Sequence, residues 1–454
     1  MPKSRVNFSP RVGFNWDVLK DRSVILRGGA GIYTGRIPFV WIVSVAGNSN
    51  CLQAQYILPR NSAAKYPKFH DNLNDILTDI YGGTFKAKDL AAPTGATIID
   101  KKLKMPTTVK ASLAADVRLP WGIKGTIEGI YNKDIETVAA LRLGYKKVEN
   151  GLTLPGEPKS RSSWKSEGIK NSQNSNVAPY YLTNKTLDGK ALPKGYYYSV
   201  TAQLSKDFNW GLSLMAAYTR SGSKSIQEGY GDQVSSLFSG GNYGVNGSNE
   251  PELGNSAFVS PNRLIANANW KIQEGKNLAT TIGLFYEGYN HCYVGNYSYT
   301  RYSYVLGKLT GEGGSNNLMY IPTDAQVEQM TFTSDENKAA FKSFLASDSY
   351  TKNHRGEYST RGAKVAPWQG RFNLKVAQDI SVNVAGRKST LQLGVDILNV
   401  ANLINSDWGL TKQVKTENIL NYSNGKYTFT EPVVNDYKST FCTWQMLFSA
   451  KLSF

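Results

Sequence analysis

Apolar and polar residues alternate with a period of two in several segments, each about 9–11 residues long. The segment at 107–119 collects its apolar side chains on one face, namely Val109, Ala111, Leu113, Ala115, Val117 and Leu119. The last segment does the same with Met446, Phe448, Ala450, Leu452 and Phe454. This pattern predicts β-strands with one apolar and one polar face, long enough to cross a bilayer when tilted. A soluble β-sandwich also alternates, so the pattern alone does not separate the two classes.

The connections between these segments alternate between short and long without exception. Eleven strands are predicted, near residues 11–18, 24–34, 107–119, 123–133, 196–206, 212–220, 262–272, 278–287, 371–380, 389–400 and 443–454. The short connections are 19–23, 120–122, 207–211, 273–277 and 381–388, and the long ones are 35–106, 134–195, 221–261, 288–370 and 401–442. Outer-membrane barrels have short periplasmic turns and long extracellular loops, whereas compact soluble domains rarely contain long loops. The alternation therefore predicts an all-β, antiparallel, up-and-down transmembrane β-barrel with long outer loops.

Tryptophans and the strand count extend this interpretation. Trp16, Trp121, Trp210 and Trp270 fall at the side of the short turns, as an interfacial aromatic girdle would. Single-chain bacterial barrels have an even number of strands. Eleven is odd, and it is half of the roughly 22 strands of the large plugged transporters. The chain is thus predicted to supply about eleven strands of such a barrel, unless a further strand lies at 297–305.

Composition narrows the class of partner. The chain has 52 Lys and Arg against 35 Asp and Glu, a formal charge of +17, which suggests nucleic acid or an anionic membrane surface. The basic residues are dispersed, with neither a dense basic run nor an aromatic RNA-binding signature, so no nucleic-acid partner is predicted. Three cysteines are too few for a disulfide framework. No apolar signal segment precedes the first strand, which predicts an N-terminal part upstream of this sequence.

Several stretches resemble the C-terminal half of TonB-dependent outer-membrane receptors of the Oar-like type found in Bacteroidetes-like bacteria. They are Phe8–Asp17, Arg27–Trp41, Lys194–Leu204, Ala217–Thr219, Ala366–Lys375 with Gln378–Asp379, and Asp396–Val400 with Asn405–Gly409. The resemblance runs from about Phe8 to Phe454. It implies that residues 1–454 are the C-terminal part of the barrel, and that the signal peptide, TonB box, plug and first strands lie outside this sequence.

The same resemblance implies the function and the partners. The whole protein would sit in the cell outer membrane and import a scarce, bulky solute such as a glycan, peptide or siderophore. Its partners would be outer-membrane lipid and lipopolysaccharide, the barrel-insertion machinery, TonB through the N-terminal part, and a surface lipoprotein. Two alternatives stay open: an adhesin or passive barrel without energised import, and a secreted soluble β-rich glycan-binding protein.

Catalytic, metal and cofactor sites are not predicted. The three histidines, His70, His291 and His354, have no metal-ligand spacing, and His291 with Cys292 is expected to be an exposed loop pair. Family members tend to carry an Asp-rich, calcium-like loop near 309–317. Here Glu312 is the one carboxylate, so a Gly-rich flexible loop is the better interpretation, because Ca²⁺ needs six to eight oxygens. The chain is therefore not predicted to be an enzyme.

Two sets of side chains are candidates for contact with the solute. Those predicted to line the lumen are Arg11, Arg27, Lys110, Asp116, Arg118, Glu128, Arg263, Asn267, Arg371, Lys375, Gln392 and Asp396. Those predicted to capture ligand from the outer loops are Trp41, Tyr243, Tyr289, Tyr293, Tyr297 and Trp368. A charge on the lipid face would cost about 2–4 kcal/mol at mid-bilayer, which is why polar strand positions are assigned to the lumen.

Three local features complete the predictions. Phe448, Leu452 and Phe454 resemble the C-terminal assembly signal of outer-membrane barrels. Residues 324–346 are predicted to form a short helix starting near 335–337. Cys51 and Cys292 both fall in outer loops; free thiols are the simpler expectation, and a disulfide would need Cα atoms within about 7 Å.

Overall fold

The computed structural model describes residues 5–47, 68–81, 96–170, 174, 176–228, 231–295, 297–384, 387–437, 439–440 and 442–454. One antiparallel sheet dominates it, and eleven long strands follow one another across that sheet in chain order. They are β1 (Arg11–Asp17), β2 (Val24–Thr34), β3 (Thr107–Arg118), β4 (Ile123–Glu136), β5 (Tyr196–Asp207), β6 (Leu212–Ser225), β7 (Asn262–Glu274), β8 (Leu278–Asn290), β9 (Trp368–Val384), β10 (Arg387–Leu398) and β11 (Gln445–Ser453). The short strand Gly254–Asn255 joins the end of β6.

The eleven predicted strands and their order are confirmed. Several of these strands extend farther toward the long connections than predicted. β6 and β8 extend by several residues because polar residues such as Ser223 and Asn290 continue the backbone ladder after the apolar alternation has stopped. The region 297–305 forms no further strand of the large sheet. It contains the short strands Tyr297–Tyr299 and Arg301–Tyr302, which pair elsewhere.

The two faces of the sheet differ in polarity, and the chain leaves the apolar face uncovered. In β1 the side chains of Val12, Phe14 and Trp16 point the same way and are 72%, 51% and 57% exposed. A soluble protein rarely exposes such a contiguous apolar surface. Two sheets packed around a dry core, as in a sandwich, would have buried these residues.

Aromatic residues mark the end of the sheet that carries the short connections. Trp210 lies in the turn before β6 and packs edge-on against Trp270 of β7, with 5.8 Å between ring centroids. Trp121 lies in the 3-10 turn Pro120–Gly122, where its φ of 62° is in the left-handed region, and its side chain is 84% exposed. Exposure of these rings is what an interfacial girdle requires and a buried core excludes.

The long connections hold the remaining helices and strands. The helices are α1 (Phe39–Gly47), α2 (Leu73–Tyr81), α3 (Val234–Ser239), α4 (Asp324–Glu328), α5 (Asp335–Ser347) and α6 (Val400–Ile404), with a 3-10 turn at Thr351–Asn353. The short strands are Thr97–Ile99, Ala139–Arg142, Tyr145–Lys147, Trp164–Ser166, Ile169–Lys170, Asn176–Val177, Tyr180–Thr183, Cys292–Val294, Tyr297–Tyr299, Arg301–Tyr302, Val305–Leu306, Asn317–Leu318, Tyr320–Ile321, Glu357–Tyr358, Lys364–Val365, Thr411–Val414, Asn418–Ser423, Lys426–Phe429 and Val434–Tyr437.

These connections pack on one another around their own hydrophobic core. Leu154, Tyr304, Phe341 and Tyr427, from three different connections, are each 2% exposed or less. Parallel pairing of Cys292–Val294 with Thr411–Val414 joins two of the connections. The loops thus form one packed assembly, called the outer assembly below.

Two predictions about the loops need correction. The Gly-rich stretch near 309–317 is not an exposed flexible loop: Glu312 and Asn317 are fully buried in the outer assembly. The helix at 324–346 is confirmed, but as two helices, α4 and α5. Thr323 caps α4 in a capping box with Gln326, and Ser334 caps α5 by accepting from the amide of Asn337.

The two edges of the sheet stay open. Among the described residues, β1 pairs only with β2, and β11 pairs only with β10. Since the number of strands is odd, β1 and β11 run in the same direction, toward the end with the short connections. Pairing these two edges directly would create a parallel seam in an antiparallel sheet.

Candidate functional site

The polar face of the sheet carries the twelve residues predicted to line the lumen. All lie on strands β1, β2, β3, β4, β7, β9 and β10, at positions that alternate with the apolar face. Cross-strand register brings several of them together. In β2, β3 and β4, for example, Arg27 lies opposite Ala114, and Ala114 lies opposite Glu128.

Arg27 is the centre of the first polar cluster. Its Nε donates to Asp116 Oδ2 at 2.9 Å, and its Nη1 lies 3.3 Å from Glu128 Oε1. Asp116 also accepts from the Thr126 hydroxyl at 2.6 Å. The guanidinium is 41% exposed, so each pair contributes at most about 1 kcal/mol. The cluster gives this part of the polar face a network of paired charges, with two carboxylates around one guanidinium.

Further pairs follow along the same face. Arg263 lies 2.5 Å from Glu287, and Lys375 lies 3.3 Å from Asp396. Gln392 donates to Asp379 at 2.7 Å. Arg263, Lys375, Asp396 and Gln392 were predicted from the sequence, whereas their partners Glu287 and Asp379, on the same polar face, were not. Arg11 and Lys110 lie over the ring of Tyr33, and Asn267 accepts a hydrogen bond from Asn269.

An aromatic ladder starts where this polar face meets the outer assembly. It consists of Tyr289, His291, Tyr293 and Tyr437. Successive ring centroids are 5.4 Å, 5.4 Å and 4.4 Å apart. Tyr289 is opposite Arg263 in the register of β7 and β8, so the ladder begins directly beside the Arg263–Glu287 pair.

His291 fixes the middle of the ladder. Its Nδ1 is 2.8 Å from the side-chain amide of Gln369 and its Nε2 is 2.6 Å from the Ser298 hydroxyl. Burial lowers the pKa of His291 from its usual value, which favours the neutral ring. The expectation of an exposed His291–Cys292 pair is wrong: the side chains are 8% and 0% exposed, because the chain continues from β8 into a strand paired on both sides.

The other residues predicted to capture ligand lie apart from the ladder. Trp41, a residue of α1, packs against a small hydrophobic core that contains Phe238. The hydroxyl of Tyr243 donates to the Glu417 carboxylate at 2.8 Å. Tyr297 is 61% exposed. Trp368 lies in β9 rather than in a loop, on the apolar face, where its indole N–H donates to the Tyr286 hydroxyl at 3.2 Å. The structure thus joins Tyr289 and Tyr293 and separates the rest.

Three ionisable side chains, which no sequence pattern marked, connect segments of the outer assembly: Arg161 and Glu157, which are buried, and Glu417, which is partly buried. Arg161 and Glu157 form an ion pair at 2.6 Å with side chains 0% and 4% exposed, and Arg161 also donates to the Leu318 carbonyl at 2.7 Å. Glu417 accepts from the Ser303 amide at 2.6 Å and from the Tyr243 hydroxyl. Burial raises the pKa of Glu417 to about 7. Each group ties together connections that are distant in sequence.

The cysteines and the C-terminal strand can be placed as follows. Cys292 and Cys442 are free, buried thiols, and Cys51 lies outside the described residues, so its pairing stays a prediction. Phe448, Leu452 and Phe454 share the apolar face and are 73%, 63% and 91% exposed.

Within the described part of the chain no three His, Cys, Asp or Glu side chains come together as a metal site would need. No described helix is long and apolar enough to cross a membrane.

Comparisons with known proteins give a family and a set of distant structures. A family model described as "Outer membrane beta barrel domain" matches residues 1–428. No curated protein sequence matches significantly. The outer membrane transporter YddB from Escherichia coli aligns over 99% of this chain and 41% of its own, with 11% identity and a TM-score of 0.44.

Two siderophore receptors align similarly. The alignment with the ferric preacinetobactin receptor BauA from Acinetobacter baumannii covers 87% of this chain and 32% of that receptor, with 10% identity and a TM-score of 0.33. The alignment with a mutant of the ferric enterobactin receptor PfeA from Pseudomonas aeruginosa covers 98% of this chain and 40% of that receptor, with 10% identity and a TM-score of 0.39. The chain therefore spans less than half the length of these structures.

Proposed function

Since this chain belongs to the family of outer membrane beta-barrel domains, we propose that it is the C-terminal barrel part of a TonB-dependent receptor of the Oar-like type. The whole protein imports a scarce, bulky solute, such as a glycan, peptide or siderophore, across the outer membrane. Residues 1–454 form one barrel segment, and the plug and TonB box belong to the rest of the protein.

The polar face of the sheet is the observation that carries this proposal. The Arg27–Asp116–Glu128 cluster and the Arg263–Glu287 pair lie on one wall, opposite the apolar face. Exposed to lipid at mid-bilayer, each basic side chain would cost about 2–4 kcal/mol. Facing water or a plug, the same groups provide hydrogen bonds to a passing solute. A barrel of about 22 strands, the size proposed for the whole protein, is that of the large plugged transporters.

Strand parity supports the place of this chain within a larger barrel. In lipid, every backbone N–H and C=O must be paired, so the open edges of β1 and β11 need partners. Direct closure would require a parallel seam, as would a ring of two identical sheets in the same orientation. An additional segment with an odd number of strands closes the barrel with antiparallel pairs throughout.

The partners follow from this assignment. Outer-membrane lipid and lipopolysaccharide contact the apolar face, and the insertion machinery handles the strand that ends at Phe454. TonB acts through the N-terminal part of the protein. A surface lipoprotein covering the outer assembly is a further partner in this proposal.

Energised uptake is the experiment that tests the function. Cells producing the whole protein are offered a radiolabelled ferric siderophore, a labelled oligosaccharide and a labelled peptide, with and without functional TonB. We expect accumulation of one probe that is lost without TonB. Surface binding of a probe without accumulation in either strain would instead favour an adhesin, and accumulation independent of TonB would favour a passive barrel.

A further inference from the structure

We propose that four basic side chains, at the rim where the apolar face meets the outer assembly, bind the phosphate groups of lipopolysaccharide. This basic patch consists of Lys133, Arg220, Lys224 and Arg301. The inference rests on the part of the proposed function that names lipopolysaccharide as a partner, and it does not depend on energised import.

Three residues of the patch lie on the apolar face of neighbouring strands. Lys133 of β4 and Lys224 of β6 are both opposite Tyr196 of β5, so one row across the sheet reads lysine, tyrosine, lysine. The Lys133 ammonium lies 5.7 Å from the centre of the Tyr196 ring. Arg220 shares the face of Lys224 and is opposite Val200, which is 49% exposed on the apolar face. Since adjacent strands are about 4.8 Å apart, the two lysine positions are about 10 Å apart.

Their height along the strands places these residues at the outer border of the apolar band. Leu212 begins β6 and is opposite Trp270 of the aromatic girdle. With a rise of about 3.4 Å per residue and a tilt of about 40°, Arg220 stands roughly 20 Å and Lys224 roughly 30 Å above Leu212. The apolar band of an outer-membrane barrel is about 25 Å tall. Lys224 therefore lies at the level of the lipid headgroups, and the long side chain of Arg220 can reach that level.

A group of tyrosines marks the same border. Tyr131, Tyr198 and Tyr218 are 48%, 38% and 45% exposed on the apolar face, and Tyr131 is opposite Tyr198 in the register of β4 and β5. The Tyr198 ring lies over Gly222, where a Cβ atom would come within 2.7 Å of the ring. Exposed tyrosines are typical of the interface between hydrocarbon and headgroups. The basic patch therefore lies where lipid phosphates are found.

The four cations have no carboxylate partner among the described residues. Lys133 donates to the Lys194 carbonyl at 2.9 Å. Arg220 donates to the side-chain oxygen of Asn262 at 2.7 Å, and Arg301 to the Gly362 carbonyl at 3.1 Å. All three acceptors are neutral oxygens, so the positive charges of the patch remain available to an anion.

Nearby carboxylates in β4 do not neutralise the patch. Glu136, at the end of the strand, pairs with Lys104 at 2.5 Å and with Lys194 at 3.9 Å. Asp134 is opposite Thr108, at a position that alternates with Lys133 and belongs to the polar face. The unpaired charge is therefore confined to the side that faces lipid.

Arg301 brings a second guanidinium from the outer assembly toward Arg220. Burial and, after it, the like charge of Arg220 lower the pKa of Arg301, while Tyr198 acts in the opposite direction. Two guanidinium groups that repel each other are stabilised by an anion that contacts both. Phosphate is suited to this role because it accepts paired, charge-assisted hydrogen bonds from arginine.

Lipopolysaccharide is the phosphate carrier that fits this position. The patch faces lipid rather than the lumen, so a solute moving through the barrel would not meet it. It lies at the end with the long connections, which is the outer end of an outer-membrane barrel. Lipopolysaccharide occupies that leaflet, and its lipid A carries phosphate groups. Basic clusters at the level of the headgroups recognise anionic lipids in this way.

Titration of phosphorylated lipid A into the purified whole protein in detergent, read by native mass spectrometry, tests the inference. We expect a bound lipid A molecule that the form of lipid A without phosphates does not replace. Each basic residue changed to glutamine should weaken binding about fivefold, and Arg220→Gln/Lys224→Gln at least about tenfold. Arg220→Lys/Lys224→Arg should keep most of the affinity, because both charges are retained.

The double variant Lys206→Gln/Arg387→Gln is the matched control. It also removes one lysine and one arginine from the apolar face, but at the end with the short connections, and it should leave lipid A binding unchanged. Equal affinity for lipid A with and without phosphates, or for phosphatidylglycerol, would overturn the inference. Full affinity of Arg220→Gln/Lys224→Gln, or displacement of lipid A by an equal concentration of inorganic phosphate, would do the same.

This test is separate from the uptake experiment. Because no TonB or energy source is present, failure to bind lipid A leaves the import proposal standing. Lipid A binding by a protein that shows no TonB-dependent uptake would remove import and keep the basic patch as a lipid site.

Discussion

Single ionisable side chains connect separate segments of the outer assembly. Glu417 joins Ser303 and Tyr243 from two other connections, and Arg161 neutralises Glu157 inside the packed loops. None of these residues belongs to a motif or a periodic pattern. Their roles arise from contacts between segments up to 174 residues apart, which is why sequence reasoning did not find them.

Glu417 should make the outer assembly less stable as the pH rises. Its pKa is about 7 in the folded protein against 4.5 for an unperturbed glutamate, so the folded state binds the proton more tightly. Stability therefore falls between pH 4.5 and 7 and stays at its lower level above pH 7. We expect hydrogen exchange at amides around Ser303, corrected for intrinsic rates, to be at least about tenfold faster at pH 8 than at pH 5.

Glu417→Gln should remove most of that difference while keeping both hydrogen-bond partners. Equal pH dependence in Glu417→Gln and the parent protein would show that another group is responsible. Thr416→Ala, next in sequence and not part of the buried contact, is the control.

Replacing Arg161 alone should lower the stability of the outer assembly more than replacing Arg161 and Glu157 together. Arg161→Met leaves the Glu157 carboxylate buried without its counter-ion, which costs about 3 kcal/mol or more. The double variant Arg161→Met/Glu157→Gln should recover part of that loss. Local opening free energies from hydrogen exchange of the 152–161 segment measure both, and a double variant as unstable as the single one would contradict the argument.

At the scale of elements, the strands follow from local sequence and the outer assembly does not. Alternation identified the eleven long strands of the sheet because each of them has one lipid-side and one polar face. The packed loops depend on pairings such as Val305–Leu306 with the distant strand Asn418–Ser423. Such non-local pairs leave no periodic trace, so Glu312 and Asn317 were expected in a flexible loop and are buried instead.

Helix α5 offers an element that sequence reasoning located and whose cap can be tested. Ser334 accepts from the Asn337 amide at 3.2 Å. Ser334→Ala should destabilise α5 by about 1 kcal/mol, while Ser334→Asp should preserve the cap. Hydrogen exchange of the first turn of α5 reports the change. Ser347→Ala, at the exposed end of the same helix, should have a smaller effect, and equal effects would speak against capping.

The last strand tests the predicted assembly signal. Phe454 directly follows β11 and is 91% exposed, and among the described residues β11 has one open edge, which can add to another sheet edge. Phe454→Ala should lower the outer-membrane level of the whole protein far more than Leu393→Ala in the adjacent β10. Cell fractionation measures both levels, and a normal level of the Phe454→Ala protein would exclude the signal.

At the scale of the whole molecule, three features agree on one arrangement in the membrane. The apolar face is uncovered, the polar face carries ion pairs, and the connections alternate between short turns and a packed outer assembly. Both open edges run toward the short-turn end, so direct pairing of β1 with β11 would place a parallel seam in an antiparallel sheet.

The direct test of this arrangement is cysteine labelling in intact cells. Cys51, Cys292 and Cys442 are first replaced by serine, and single cysteines are then introduced at Lys352, in the outer assembly, or at Lys276, in a short turn. A membrane-impermeant maleimide should label Lys352→Cys in intact cells and Lys276→Cys only after the outer membrane is permeabilised. Labelling of Lys276→Cys in intact cells, or protection of Lys352→Cys until permeabilisation, would contradict an outer-membrane barrel with its long connections outside.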